Sequence, residues 1–434
     1  MRTLIRDLSS SVGKSVRISG WVDVRRDHGK LIFLDIRDRS GIVQVVATPK
    51  AAEALEAAKE LRPQWVVEIE GEVKSRPENM RTEGPTGTIE LVAHSITVLS
   101  KAQELPFELG TEVNIDTHLD YLPLTVRSQR ARDIFLMQEL LIDGFRSGLR
   151  SQDFTEFQAP ALVGGDAEGG AAAFSVDYYY DKKAFLATSP QFYKQIMVGA
   201  FERVFATPKV FRGEKHATTR HLSEYSSMDF EMGFISDHRD VMAVLETTIR
   251  SMVERVAAHQ DILERFNTSV PSIPESIPVL KLGEAQEILK VAKAPDLDPE
   301  HERAISAWAK AEHNSDFVFI THYPVKKRPF YVYEDESDKG YTKSFDLLFR
   351  GLEITTGGQR IHDYATLIAR IEEWGMKPEQ FSYYLQAFKY GLPPHGGSAT
   401  GLERLTARVL ELPSVKEAAL FPRDLNRIDV RLSE

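Results

Sequence analysis

The sequence predicts an α+β protein in two parts, a small five-stranded barrel followed by a larger antiparallel sheet flanked by helices. Three observations predict it. With 434 residues, at roughly 100–200 per domain, the chain has room for two or three domains and a large core. Short β-rich runs bounded by turn residues crowd the first hundred positions. Beyond them, strand-like runs follow one another through loops or hairpins more often than through crossover helices, which favours an antiparallel sheet over a doubly wound parallel one.

In the first part VRISGWVDV, KLIFLDIRD, GIVQVVA, WVVEIEGEV and TIELVAHSITVL read as five strands, with Ala51 to Leu61 a helix partway through. That order is the pattern of an OB-fold, whose open face commonly takes single-stranded nucleic acid. From Lys101 to Arg127 the periodicity lapses and Pro106, Asp116 and Pro123 break the chain. The expected division is a barrel over residues 1–104, a hinge over 105–127 and a second domain over 128–434. There Ser128 caps a helix whose Ile134, Met137, Leu141, Phe145 and Leu149 form one apolar stripe. Leu245, Ile249, Met252 and Val256 mark a second helix, and Leu367, Ile371 and Trp374 a third that Gly375 stops. RVFATPKVFRG, YSSMDFEMGFI, DFVFITHYP, PFYVYE and FDLLFRGLEIT supply the strands between.

Composition excludes more than it assigns. Apolar residues are 42% and charged residues 27% of the chain, with a net charge of −10 and no cysteine. Disulfides, thiolate metal sites and cysteine nucleophiles are therefore out. Met1 to Ser10 lacks a signal-peptide core, and no run approaches the ~18 apolar residues of a membrane span. A soluble, cytoplasmic protein with no membrane partner is expected. The acidity argues against nucleic acid, yet residues 1–50 hold ten Lys and Arg against five Asp and Glu, so one end can present a positive patch.

Familiar nucleotide and hydrolase motifs fail. Gly13-Lys14-Ser15 ends like a P-loop, but Leu8 stands where its first glycine is needed. HExxH, GxSxG and a helix-opening GxGxxG are missing. Three other stretches carry chemistry. Arg212, Glu214, Arg220, His221, Tyr225, Asp229 and Glu231 lie along one hairpin. An arginine there forks onto a phosphate, a glutamate accepts from an exocyclic amine and a tyrosine stacks on a base. In the second, Asp346 and Glu353, followed by Thr356, are hard oxygen ligands of the kind Mg²⁺ takes beside substrate phosphates, and Gly357-Gly358 lets a substrate approach the backbone. The third, Gly391 to Arg404, reads as a glycine-rich turn opening a helix with an arginine in its first turn.

Together these stretches resemble the class II aminoacyl-tRNA synthetases over essentially the whole chain, and within them the aspartyl-tRNA synthetases of archaeal type, which also occur in some bacteria. The helix ending in a strand with Pro160, the Arg212-x-Glu214 hairpin and the turn ending in Glu403-Arg404 are the three signatures, in order. Ser189-Pro190-Gln191-Phe192-Tyr193-Lys194 is similar to the SPQxxK segment of the aspartate enzymes, and Gly357 to His362 to their GGQRIH segment. The resemblance implies that Arg212 holds the α-phosphate and Arg404 the terminal phosphate of a bent ATP, with Glu214 reading adenine, Tyr225 under the ring, and Arg220 and His221 in the same site. It implies Mg²⁺ on Glu353, Asp346 and Thr356. For L-aspartate it implies Ser189, Gln191, Lys194 and Arg360, with Glu168 and Asp229 receiving the ammonium group. Lys194 and Arg360 would surround the side-chain carboxylate with two unpaired cations, which an asparagine pocket would not be expected to keep. On the barrel it implies Phe33, Gln44 and Glu90 as anticodon contacts.

The expected reaction is ATP-dependent formation of aspartyl-adenylate, then transfer of aspartate to tRNA(Asp), with tRNA(Asn) left open as a second acceptor. A homodimer packed through Ser128 to Leu162 is expected by the same resemblance. The alternatives are an asparaginyl-tRNA synthetase, an adenylate-forming paralogue, and a non-catalytic RNA-binding protein. The chain departs from the family pattern at Thr188, Lys215, Thr356 and Ser398-Ala399-Thr400.

Overall fold

The computed structural model describes residues 2–165, 173–214 and 220–432, which divide into two units at Thr111 and Glu112. In the first, β1 (Ser15–Asp27), β2 (Ile32–Asp38), β3 (Gly41–Ala47), β4 (Val66–Ser75) and β5 (Ile89–Ser100) close a barrel in the order β1-β2-β3-β5-β4, with α1 (Ala52–Glu60) between β3 and β4. Alternation makes the barrel: Ile32, Leu34 and Ile36 of β2 and Val43, Val45 and Ala47 of β3 point inward, while Phe33, Asp35 and Gln44 point out. Gly71 sits where β4 crosses β5 so closely that a Cβ would lie 2.4 Å from the Val92 carbonyl oxygen. Ala54, Leu55 and Ala58 of α1 join this core, as do Ile5 and Leu8 of a short N-terminal 3₁₀ turn.

The second unit opens with α2 (Ile115–Asp120) and α3 (Leu122–Thr125). These fall where the sequence reads as a hinge; Asn114 caps the first of them by accepting from Thr117 N at 2.8 Å. Then come α4 (Gln129–Arg150), β6 (Thr155–Glu156), β7 (Leu162–Val163), β8 (Ser175–Tyr178), β9 (Lys182–Leu186), α5 (Gln191–Phe201), β10 (Arg203–Ala206), β11 (Lys209–Phe211), β12 (Glu224–Gly233), α6 (His238–Ala257) and α7 (Gln260–Arg265). The chain continues through β13 (Val279–Lys281), α8 (Leu282–Leu289), α9 (Pro299–His313), β14 (Phe317–Thr321), β15 (Ser344–Phe349), β16 (Leu352–Gln359), α10 (Tyr364–Glu373), α11 (Ser382–Lys389), β17 (His395–Gly401) and α12 (Leu402–Val409).

The large sheet runs β13-β14-β15-β16-β17-β12-β10-β6, with β11 paired to β12. It is antiparallel through its centre and parallel at its two ends, β13 with β14 and β10 with β6. Two elements differ from the sequence reading. Residues 395–401 form a central strand between β16 and β12, and no turn, because serine, alanine and threonine there continue an extended ladder that glycine alone would weaken. Residues 329–334 make only isolated bridges, Val332 with Arg360 and Glu334 with Thr342.

On the sheet lies the main core. Ser128 caps α4 by accepting from Ala131 N, and the stripe from Ile134 to Leu149 is buried as its spacing predicts. The same stripe meets Leu245, Ile249, Met252 and Val256 of α6. Gly144 permits that contact: a Cβ there would stand 2.5 Å from the Met252 Cα. Strands β12 and β16 pack side chains into this core, β17 is paired between them, and the three carry the site.

Candidate active site

Side chains from α5, the β11–β12 hairpin, β16, β17 and α12 line one cavity of about 370 Å³. Ser189, Gln191, Lys194, Arg212, Glu214, Arg220, His221, Tyr225, Glu353, Thr356, Arg360 and Arg404, all singled out from sequence, are at its wall. Asp229 and Asp346 are buried and stand behind it. Glu168 lies outside the described residues.

One end is a buried ion network. Asp229 and Glu231 are two apart on β12 and so share a face. Lys194, held inward by the first turn of α5, places Nζ 2.9 Å from Asp229 Oδ2 and 3.3 Å from Glu231 Oε2, and donates to the Ser398 carbonyl at 3.1 Å. Arg360 donates from Nε to Glu231 Oε1 at 2.9 Å and from Nη2 to the Gly397 carbonyl at 2.9 Å. Gly397 makes the room, since a Cβ there would fall 2.2 Å from Glu231 Oε2. Burial works to raise the Glu231 pKa, but Arg360 and Lys194 outweigh it and hold the carboxyl below its ordinary range.

This corrects one expectation. Lys194 and Arg360 are not unpaired: Asp229 and Glu231 balance them, because two buried cations without counterions would cost more than the fold can supply. Asp229, expected to meet an ammonium group, is engaged by Lys194 and by the Ser227 hydroxyl. The sequence marks Glu231 as one of the hairpin's carboxylates without assigning it to the pocket. Its spacing from Asp229 was the available signal; its pairing with a residue 129 positions away was not.

Behind Glu231 the imidazole of His395 is fully buried. Its Nδ1 faces the Pro393 carbonyl at 2.9 Å, so Nδ1 carries the proton and Nε2 accepts from the Gln195 amide at 2.8 Å; Tyr384 donates to the same amide's oxygen at 3.0 Å. Burial lowers the His395 pKa to about 4, with Glu231 opposing.

The other end is more open. The Arg212 guanidinium lies 5.6 Å from the Tyr225 ring centroid. Arg220 reaches Glu302 at 3.1 Å and the Gly351 carbonyl at 3.3 Å. Arg404, in the first turn of α12, donates to the Glu353 carbonyl at 3.3 Å and stands 3.7 Å from its carboxylate, while Thr356 Oγ1 donates to Glu353 Oε1 at 3.1 Å. Glu403 accepts twice from Ser226 N at 3.0 Å, fastening α12 to the hairpin strand. Glu353 lines the cavity with its side chain partly open; the desolvation it does meet and the nearby Asp346 push its pKa up, against Arg404 and Arg328. Asp346 itself pairs with Arg328 at 2.8 Å, a partner the sequence did not signal.

On the barrel, Phe33, Gln44 and Glu90 lie half-buried on the outer face of β2, β3 and β5. Gln44 Nε2 donates to Glu90 Oε2 at 3.3 Å, and Phe33 meets the His28 ring edge-on at 5.3 Å. Arg26 and Asp35 flank them as an ion pair at 2.7 Å.

Comparison with known proteins accounts for both units. Residues 114–425 match the family of tRNA synthetases class II (D, K and N), and residues 16–99 match the OB-fold nucleic acid binding domain. The aspartate–tRNA(Asp/Asn) ligase of Thermus thermophilus is 45% identical over 99% of this chain and 100% of its own length. That of Deinococcus radiodurans is 42% identical over 98% of each. Asparaginyl-tRNA synthetase from Pyrococcus horikoshii, solved with asparaginyl-adenylate, superposes with a TM-score of 0.90 at 33% identity, covering 99% of each chain. The chain belongs to the class II aminoacyl-tRNA synthetases, which are ligases. The two full-length relatives just described are aspartate–tRNA ligases.

Proposed function

We propose that this enzyme activates aspartate with ATP and transfers it to tRNA(Asp) and tRNA(Asn). The observation that carries the reading is one cavity walled at one end by Lys194 and Arg360, each paired with a buried carboxylate, and at the other by Arg212 and Arg404. The names of the Thermus and Deinococcus relatives support both acceptors. An α-carboxylate oxygen of aspartate attacks the α-phosphorus of ATP as the bond to pyrophosphate breaks. The terminal ribose hydroxyl of tRNA then attacks the aspartyl carbonyl and AMP leaves. No side-chain nucleophile is required; alignment and charge stabilisation do the work. Arg212 meets the α-phosphate oxygens and Arg404 the terminal phosphate, Glu214 and Tyr225 hold adenine, and Arg360 and Lys194 hold the side-chain carboxylate, with Ser189 and Gln191 beside them.

Mg²⁺ fits the phosphate end. Asp346 Oδ1 is buried without a hydrogen bond, and the Glu353 carboxylate stands between Arg404 and the Thr356 hydroxyl, a set of hard oxygens of the kind Mg²⁺ takes. When bound it neutralises phosphate charge; Asp346, Glu353 and Thr356 would hold it.

Phe33, Gln44 and Glu90 are proposed to take unstacked anticodon bases, one by stacking and two by base-edge bonds. A homodimer is supported by exposed apolar side chains on α4 and the C-terminal segment, Leu136, Phe421, Ile428 and Val430, which a second copy can cover. Among the described residues no helix is long and apolar enough to cross a membrane; a cytoplasmic site of action goes with the substrates. A second reading, asparagine as the amino acid, is favoured by the balanced charges of the buried network and by the likeness to the Pyrococcus structure. Charging both purified tRNAs with each amino acid separates the two; asparaginyl-tRNA as the product would overturn the aspartate reading.

A further inference from the structure

We propose that Arg328 is a third phosphate-binding arginine, one that grips the terminal phosphates of ATP and the departing pyrophosphate. The proposal rests on the reading of this cavity as an ATP site. Arg328 follows a 3₁₀ turn, Val325–Lys327, and its side chain forms part of the cavity wall. Its guanidinium lies on the Tyr323 ring, 3.9 Å from the centroid, and pairs with Asp346 at 2.8 Å. That contact lacks hydrogen-bond direction: Nε and Nη2 are both sealed from solvent with no hydrogen-bond partner.

A guanidinium offers five N–H donors in a planar fork, and a cation so enclosed is costly unless its donors are met. One carboxylate and one ring leave most of that demand open. Asp346 Oδ1 is open as well, so the pair at 2.8 Å leaves hydrogen-bonding capacity on both members. Asp346, which Arg328 pairs with, lies opposite Thr356 across β15 and β16, and Thr356 bonds Glu353 beside Arg404, which puts Arg328 at the Arg404 end of the cavity. The Tyr323 ring, 3.9 Å away, restrains the guanidinium in advance of any ligand, which lowers the ordering cost of phosphate recognition. Pyrophosphate carries the charge and oxygen density that this fork lacks.

The test is calorimetric binding of pyrophosphate, ATP and AMP to the whole protein in chelator, without metal. Arg328→Met could leave Asp346 as an uncompensated buried charge, so the double variant Arg328→Met/Asp346→Asn, which removes both charges, is the main probe. It should weaken pyrophosphate and ATP by about tenfold or more, the scale of a charge-assisted bond, and leave AMP unchanged. Arg328→Lys should recover part of the loss. Unchanged pyrophosphate affinity in the double variant, or an equal loss for AMP, would overturn the proposal. So would a loss that appears only when Mg²⁺ is added, since Arg328 would then act through Asp346. Failure of the unaltered protein to bind ATP or pyrophosphate with or without Mg²⁺ is a different result, and would sink the ATP reading itself.

Discussion

The two ends of the cavity solve opposite electrostatic problems. Around Glu231, two cations and two anions are buried together, each partner within 3.3 Å of another, so the pocket is complete before any ligand arrives. Around Glu353, arginines and carboxylates are crowded but poorly bonded, with open donors on Arg328 and an open oxygen on Asp346. The first end is preorganised and should discriminate by direction and shape. The second leaves hydrogen-bonding groups open beside the polyphosphate proposed to bind there. Substitutions should therefore damage stability at one end and affinity or rate at the other.

The largest effect is expected from Lys194→Met, which takes from Asp229 its paired cation and leaves Glu231 with Arg360 alone. Breaking such a buried set costs about 3–5 kcal/mol, readable as a lowered urea midpoint; unchanged stability would erase the contrast between the two ends. Next is pH. Since the folded His395 pKa is about 4 against an ordinary 6.5, the unfolded chain binds that proton first. The stabilisation is whole above pH 6.5 and is withdrawn as pH falls toward 4, by about 3 kcal/mol in all. Denaturation of the parent and of His395→Gln at pH 7 and pH 4.5 should show the gap between them closing at the lower pH; a constant gap would remove His395 from the account.

At the second end, Arg212→Ala should lower aspartate-dependent ATP–pyrophosphate exchange about a hundredfold with little change in the urea midpoint. A loss of stability matching that of Lys194→Met would mean that the two ends do not differ. The smallest effect is expected on the barrel. Phe33→Ala should weaken tRNA binding by about 1–3 kcal/mol, the range for losing one stacked base, and leave exchange without tRNA untouched.

The barrel was legible because each strand alternates on its own; Ile32, Leu34 and Ile36 declare their face without reference to another strand. The α4 stripe and its Ser128 cap were legible for the same local reason. Residues 395–401 were not, since Gly396, Gly397 and Gly401 spell a turn locally and become a strand only between β16 and β12. Cavity residues showed through as chemistry-bearing types clustered in sequence. What stayed hidden were partners fixed by tertiary packing: Glu231 for Arg360, Arg328 for Asp346, and the Tyr384–Gln195–His395 chain, whose members come from three separate elements.

The central claim is that the compensated end of the cavity selects aspartate. Amino-acid-dependent ATP–pyrophosphate exchange, run with aspartate and asparagine separately, tests it most directly. Aspartate alone should drive exchange, and Arg360→Leu should abolish it. Exchange driven by asparagine, or by neither amino acid, would contradict the claim.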